Sequence, residues 1–286
     1  MPEAGLSVGE LLHHSVVRLR AAGLPEPARE ARRLWEGLGV TPRATAFDLM
    51  EGGRILEPDL AAAVDSAVSR RVAGEPLPYV TGSTGFRRLS LRCDQRALIP
   101  RPETEGLVDH LFRVAPSGRV ADIGTGSGCI ALSLADEGSY DLVVGLDRFP
   151  AALALAAENR ALTGLPITLV RGDLSQALRG ATFDALVANP PYLTAAEGAT
   201  VDPSVGDWEP ASALVSGVDG LEATRRLLAT GIEVVRPGGW IAVEVDCNRA
   251  TDTATLAGRL GWTEVSVHDD LFGRARYLLA RRSPTG

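Results

Sequence analysis

The chain has 286 residues, 45% of them hydrophobic, which is enough for a full α/β domain with a smaller companion and makes disorder not the default. All 29 basic residues are arginine and 36 acids outnumber them, so the net charge of −7 argues against a broad nucleic-acid surface, and the lack of lysine excludes Schiff-base and lysine-base chemistry. Three scattered cysteines (Cys93, Cys129, Cys247) and four histidines (His13, His14, His110, His268) give neither a disulfide framework nor metal-ligand spacing. Without a basic-then-apolar leader or a run of about 18 apolar residues, the expectation is a soluble, reduced, cytoplasmic protein with no membrane contact.

Residues 1–75 read as helices only. Ser7 and Glu10 form a capping-box pattern ahead of Val8, Leu11, Leu12, Val16, Val17 and Leu19. A second amphipathic pattern covers 26–38, a third runs from Thr41-Pro42 to Leu49, and a fourth opens at Pro58 and runs from Leu60 to Val72. Such a domain suits docking or a lid; a stabilising appendage is the alternative. Residues 76–100 change texture: Pro76, Pro78, Gly82 and Gly85 punctuate β-prone pieces, Tyr79-Val80-Thr81 and Leu89 to Cys93, as in a hairpin-like linker. Arg101-Pro102-Glu103-Thr104-Glu105 follows, with proline and acids placed as in the first turn of a helix.

Residues 101–286 form the third and largest part, with strands and helices alternating from Arg119. Strands are expected at 120–123, 142–146, 167–170, 183–187, 240–245, 263–267 and 275–280, with helices at 129–135, 150–162, 221–235 and 250–260. This βαβ order implies an α/β fold around a mainly parallel sheet, with ligands at the carboxyl ends of the strands.

Two stretches at such ends carry chemistry. Gly124-Thr125-Gly126-Ser127-Gly128, with Asp147 about 20 residues on, resembles a nucleotide-binding loop. A dinucleotide loop needs G-x-G-x-x-G so that a pyrophosphate can rest on the helix N-terminus. Here the third glycine comes one residue early, Cys129 follows, and Asp122 stands just before the loop, where it would repel phosphate. That carboxylate suits a ligand carrying an ammonium and a sulfonium, such as S-adenosyl-L-methionine, with Asp147 accepting from the ribose hydroxyls. The second stretch is Asn189-Pro190-Pro191-Tyr192, where the prolines end a strand. The Asn189 side-chain oxygen and the Pro190 carbonyl can each accept one N–H of a planar amide or amine, against the Tyr192 ring. Together the two stretches read as a methyltransferase acting on a planar nitrogen.

The glycine loop and Asn189–Tyr192 resemble the class I methyltransferases. The stretches Ile99-Pro100-Arg101-Pro102-Glu103-Thr104-Glu105, Trp208-Glu209-Pro210 and Gly217-Val218-Asp219-Gly220-Leu221 are similar to the HemK/PrmC family of release factor glutamine methyltransferases. The resemblance runs from about Pro76 to Arg276; residues 1–75 match in size and helical character only. It implies a Rossmann-like, mostly parallel seven-stranded sheet and S-adenosyl-L-methionine as methyl donor, leaving S-adenosyl-L-homocysteine. It places Gly124, Thr125, Gly126, Ser127 and Gly128 at the methionine part of that cofactor, Asp147 at the ribose and Leu174 near the adenine, with Asp122 and Asn189 also counted among the cofactor-binding residues. Asn189, Pro190, Pro191 and Tyr192 would hold the glutamine of the Gly-Gly-Gln loop of a peptide chain release factor, which the N-terminal domain would contact.

Three alternatives remain beside this reading. An adenine-N6 methyltransferase would need a basic face, yet residues 1–75 carry nine arginines against eleven acids. A dehydrogenase or cofactor-binding regulator is disfavoured by the glycine spacing. A methyltransferase of another protein amide would have the same acceptor pocket. Two departures from the family pattern stand out: Phe149-Pro150 where a Ser or Thr is common, and Glu244-Val245-Asp246-Cys247-Asn248 where Glu-Ile-Gly and a Gln are usual. Residues 195–207 read as a flexible loop able to fold over substrate.

Overall fold

A computed structural model describes residues 7–39, 56–178, 180 and 182–284. The chain forms two compact units, Met1–Ser83 with Pro203–Trp208, and Thr84–Asp202 with Glu209–Gly286.

In the first unit, helix α1 (Val8–Ala21) starts at the expected capping box: the Ser7 hydroxyl accepts from the Glu10 N–H, and Glu10 Oε2 accepts from the Ser7 N–H at 2.8 Å. Helix α2 (Pro27–Gly37) and helix α3 (Pro58–Val72) both begin with proline, whose fixed φ suits a first turn. Leu19, Leu34, Trp35, Val64 and Val68 from these helices make a shared core. The helix expected from Thr41 to Leu49 lies outside the described residues. Tyr79-Val80-Thr81, expected to be β-prone, instead close a short helix α4 (Leu77–Thr81). Pro78 again sits in a first turn, and burial of Tyr79 and Val80 outweighs their strand preference.

In the second unit, strands β1 (Ser83–Phe86) and β2 (Leu89–Arg92) pair in the expected hairpin. Helix α5 (Pro102–Val114) opens with Pro102, Glu103 and Glu105 in its first turn, as expected. Next come β3 (Ser117–Ile123), α6 (Cys129–Glu137), β4 (Ser139–Asp147), α7 (Pro150–Thr163), β5 (Thr168–Arg171) and β6 (Phe183–Ala188). They are followed by α8 (Ala195–Gly198), α9 (Pro203–Gly206), α10 (Glu222–Val234), β7 (Val235–Glu244), α11 (Ala250–Arg259), β8 (Trp262–Asp269) and β9 (Ala275–Arg282), of which α9 belongs to the first unit.

The seven strands β3–β9 form one sheet in the order β5-β4-β3-β6-β7-β9-β8, parallel except that β9 runs antiparallel to β7 and β8. This is the expected mostly parallel, seven-stranded arrangement. Apolar residues on its two faces feed two buried clusters, one with Ile123, Leu186, Leu228 and Trp262, the other with Leu107, Val120, Leu132 and Val187. The expected strand from Trp240 starts earlier. β7 already pairs at Val235 and absorbs Pro237-Gly238-Gly239 as an irregularity opposite Asp184. A side chain at Gly239 would stand 2.7 Å from the Asp184 carbonyl, so that passage requires glycine.

Leu186 is fully buried, and a Cβ placed at Gly231 of α10 would lie 3.2 Å from its methyl group. Leu186→Ala is expected to lower unfolding free energy by about 2–5 kcal/mol, which urea denaturation of the full chain would measure.

Candidate active site

Strand pairing decides what meets at the site. Ile123, the last residue of β3, lies opposite Leu146 of β4 on one side and Ala188 of β6 on the other. Gly124, Asp147 and Asn189 therefore stand together at one level, at the carboxyl ends of their strands. The chain winds outward in both directions from the β3–β6 pair, which makes this edge the topological switch point where α/β sheets bind ligands.

The glycine loop is tightly held. The N–H groups of Gly124 and Thr125 both donate to the Leu146 carbonyl, at 2.8 and 2.9 Å. Gly124, Gly126 and Gly128 take φ values of +76°, +54° and +84°, which L side chains rarely adopt. A Cβ at Gly124 would meet nothing within 4 Å, so the loop presents bare backbone to open space there. Asn159 of α7, fully buried, binds the loop from behind: its Nδ2 donates to the Ser127 carbonyl (2.9 Å) and to the Arg92 carbonyl (3.1 Å).

Asp122 is fully buried. Its Oδ2 accepts from the Thr125 hydroxyl at 2.6 Å and from the Ala131 N–H at 3.1 Å. Its Oδ1 is buried with no partner among the described residues. Burial pushes this carboxyl up to about 7, despite the two hydrogen bonds that favour the anion. An unpaired buried acceptor is costly, and a hydrogen-bond donor or a ligand cation would satisfy it. Asp147 accepts from the Gly126 N–H (3.0 Å) and the Phe149 N–H (2.9 Å), and burial raises its carboxyl as well. Each oxygen retains acceptor capacity for a hydroxyl. The Gly172 N–H donates to the Asp147 carbonyl, which brings Leu174 to the same edge; Leu174 has φ +50° and packs half-buried against the core. The departure at Phe149-Pro150 leaves this acid in place, with Pro150 as the first residue of α7 and the Arg148 guanidinium 4.7 Å above the Phe149 ring.

On the other side of the switch point, Pro190 is buried and Asn189, Pro191 and Tyr192 are half-buried. The Asn189 Nδ2 donates to the Thr104 hydroxyl at 3.0 Å, which leaves Oδ1 as the end of the amide open to an outside donor. The Thr104 hydroxyl in turn donates to Glu244 Oε2 at 2.7 Å. Burial, with Glu244 next, pushes the Tyr192 phenol up to about 12, so it stays neutral. Leu193 then pairs with the following segment: its N–H donates to the Leu214 carbonyl, and its carbonyl accepts from the Ser216 N–H. Residues 195–207, expected to be loop, contain α8 and α9. Thr194 and Glu197 form a capping box on α8, and Arg249 Nη2 grips Glu197 at 2.6 Å while its Nε donates to the Asp219 carbonyl.

The structure thus gathers Asp122, the glycine loop, Asp147, Leu174 and Asn189 to Tyr192 on one edge. Sequence reasoning missed Asn159, the Thr104–Glu244 pair and Arg249. Thr104 and Glu244 each lay in a stretch compared with the family, but the sequence assigned neither a role and did not pair them.

The glycine cradle and the unpaired Asp122 oxygen fit a ligand with an ammonium group, as S-adenosyl-L-methionine has. Comparison with known proteins agrees. Residues 102–203 match the Methyltransferase small domain and residues 10–82 the PrmC N-terminal domain. A release factor glutamine methyltransferase of Deinococcus radiodurans is 40% identical over 97% of this chain and 99% of its own length. One from Rhodospirillum rubrum is 37% identical over 99% and 88%. The chain belongs to the release factor glutamine methyltransferase family. Like that family, it is an S-adenosyl-L-methionine-dependent methyltransferase with the class I fold. Solved structures share the fold at low identity. The hMettl16 catalytic domain matches with TM-score 0.55 at 17% identity, over 82% of this chain and 86% of that one. A T. thermophilus 16S rRNA methyltransferase in complex with AdoMet and guanosine matches with TM-score 0.51 at 18% identity, over 70% and 49%.

For this family member a proton balance follows from Asp122. If the ligand's cation sits at Asp122 Oδ1 it favours the ionised carboxylate, so below about pH 7 binding would expel a proton. At pH 6.5, calorimetric titration with S-adenosyl-L-methionine is expected to show proton release, seen as an enthalpy that depends on the buffer. Affinity is expected to weaken as pH falls through about 7. Asp122→Asn is expected to remove most of both effects.

Proposed function

We propose that the protein methylates the side-chain amide nitrogen of the glutamine in the Gly-Gly-Gln motif of peptide chain release factors. The observation that carries this reading is the placement of Asn189. It leaves β6 beside the glycine loop, with its Nδ2 engaged by Thr104 and its Oδ1 free to accept an N–H. The names of the relatives supply the release factor as substrate class, and the acceptor geometry supports a planar amide.

An amide nitrogen is a poor nucleophile, because its lone pair is delocalised into the carbonyl. In this reading Asn189 Oδ1 and the Pro190 carbonyl accept the two N–H groups of the glutamine amide and hold its plane. The Tyr192 ring lies against that plane, and the two prolines fix the acceptors in advance. The lone pair is then aimed out of plane, toward the glycine loop. S-adenosyl-L-methionine supplies an electrophilic methyl group on a sulfonium. Asp122 would hold its ammonium end, Gly124 to Gly128 would line the methionine part, Asp147 would accept from the ribose hydroxyls and Leu174 would border the adenine. Rate enhancement would come from positioning and fixed dipoles rather than from a strong base: as the N–C bond forms the S–C bond breaks to leave neutral S-adenosyl-L-homocysteine, and the methylated nitrogen, now acidic, gives up one proton to water.

Residues 1–75 serve in this reading as a docking domain for the release factor, 76–100 as linker and 101–286 as the catalytic domain. No described helix is long and apolar enough to cross a membrane; the site of action is the cytoplasm, where release factors work. The acid surplus disfavours a nucleic-acid substrate.

Peptide mass spectrometry of a purified release factor incubated with the protein and S-adenosyl-L-methionine tests this. One added methyl on the Gly-Gly-Gln glutamine is expected, and Asn189→Ala is expected to slow it by about 10²–10³-fold with cofactor binding retained. Methylation of a different protein amide in place of that glutamine would move the substrate assignment elsewhere.

A further inference from the structure

The chain Asn189–Thr104–Glu244 has a direction, and that direction sets the polarity of the acceptor site. An amide side chain has one donor end and one acceptor end of nearly equal shape, and only the acceptor end can bind a substrate N–H. Nothing in the shape of Asn189 selects the correct end. Its neighbour can. Thr104 is almost wholly buried, as is Glu244, and their hydrogen bond joins α5 to the end of β7 across 140 residues of sequence.

An ionised Glu244 accepts only, so the single Thr104 proton must go to it at Oε2. The Thr104 oxygen then has only lone pairs left for Asn189, and Asn189 must present Nδ2. Oδ1 is thereby committed to the substrate side. Were Glu244 protonated, its own O–H could donate to Thr104, and the Thr104 proton would be free for Asn189 Oδ1. The amide would then turn its NH2 toward the substrate NH2, donor against donor.

We propose that Thr104 is a positioning residue of the methyl transfer, relaying the negative charge of Glu244 to fix which end of the Asn189 amide faces the acceptor glutamine. This rests on the reading of Asn189 as the group that accepts the substrate N–H. Several groups face Glu244. Arg276 of β9 has Nη1 3.7 Å from Oε1, and Tyr277 of the same strand is also near. Glu103 of α5 and Arg101 just before it act on Glu244 from another side, and Tyr192 from the loop after β6. Burial outweighs the hydrogen bond and the two arginines and raises the Glu244 carboxyl to about 7. The relay therefore switches near neutral pH, with the productive polarity on the alkaline side.

Steady-state methylation of a release factor at saturating S-adenosyl-L-methionine, with Thr104→Ser, Thr104→Val and Glu244→Gln, tests this. Thr104→Val keeps the shape and loses the hydroxyl. It is expected to lower kcat by about 10- to 100-fold, with little change in S-adenosyl-L-homocysteine affinity, and Thr104→Ser is expected to recover most of that loss. Wild-type kcat is expected to rise with pH through about 7, and this limb should be absent in Glu244→Gln. Wild-type kcat in a folded Thr104→Val overturns the proposal, as does an equal loss in Thr104→Ser. If Thr104→Val does not fold, Glu244→Gln decides: a lowered kcat with cofactor binding retained supports the relay, and an unchanged kcat with an unchanged pH limb overturns it. Asn189→Ala separates the two readings. If it loses activity while Thr104→Val keeps it, only the relay fails; if Asn189→Ala is fully active, the acceptor reading itself fails.

Discussion

The arrangement of the site depends on the parallel registration of β3 between β4 and β6. Because Ile123 is level with both Leu146 and Ala188, three chain segments leave the sheet within one neighbourhood. Each then turns away for its own local reason. Gly124 takes a positive φ that lets its N–H and that of Thr125 share the Leu146 carbonyl. Asp147 turns its carboxylate onto the Gly126 and Phe149 amides. Pro190 has no N–H to continue the ladder. A slip of one residue on either side of β3 would turn every buried side chain of that strand to the opposite face, so the cores on the two sides of the sheet enforce the register that the site needs.

Two fully buried acids sit on either side of this junction, and they are used differently. Asp122 has one oxygen without a partner among the described residues, while its other oxygen is held by the Thr125 hydroxyl and the Ala131 N–H. Glu244 has a hydroxyl partner and an arginine at the edge of ion-pair distance, and it closes a polar chain through Thr104 to Asn189. Burying a carboxyl without full compensation lowers stability, and well-packed apolar residues would do better at both positions. Their retention agrees with the proposed roles, a cationic ligand at Asp122 and the polarity of the Asn189 amide at Glu244. Both sites titrate near neutrality for the same reason, desolvation outweighing local hydrogen bonds.

Features set by neighbours along the chain were legible in the sequence. The Ser7–Glu10 capping box, the prolines opening α3, α5 and α7, the apolar run of β6 and the spacing of Gly124, Gly126 and Gly128 each follow from local rules. The alternation of strands and helices carried the sheet, and the carboxyl-end rule brought the glycine loop and Asn189 to one edge. Features set by residues far apart were not legible. Tyr79 and Val80 favour strands in isolation, yet a proline-started turn and burial make them helical. β7 runs through Pro237-Gly238-Gly239 because β6 lies alongside to pair with it. Asn159 looks like any helix polar residue until Ser127 and Arg92 are seen to converge on it. Thr104 and Glu244 had no reason to be paired before α5 was laid across the end of β7. Glu197 and Arg249 likewise show that part of a segment with loop-like composition is held by an ion pair formed across 52 residues.

The central claim is that Asn189 and Pro190 receive the two hydrogens of a glutamine amide in front of the glycine loop. A crystal structure of the protein with S-adenosyl-L-homocysteine and a peptide containing Gly-Gly-Gln tests it most directly. The account predicts the glutamine nitrogen within hydrogen-bond distance of both Asn189 Oδ1 and the Pro190 carbonyl, with Thr104 still bound to Asn189 Nδ2 and the homocysteine sulfur on the normal to the amide plane. A glutamine whose carbonyl oxygen, rather than its nitrogen, meets Asn189, or whose nitrogen lies away from both acceptors, would contradict it.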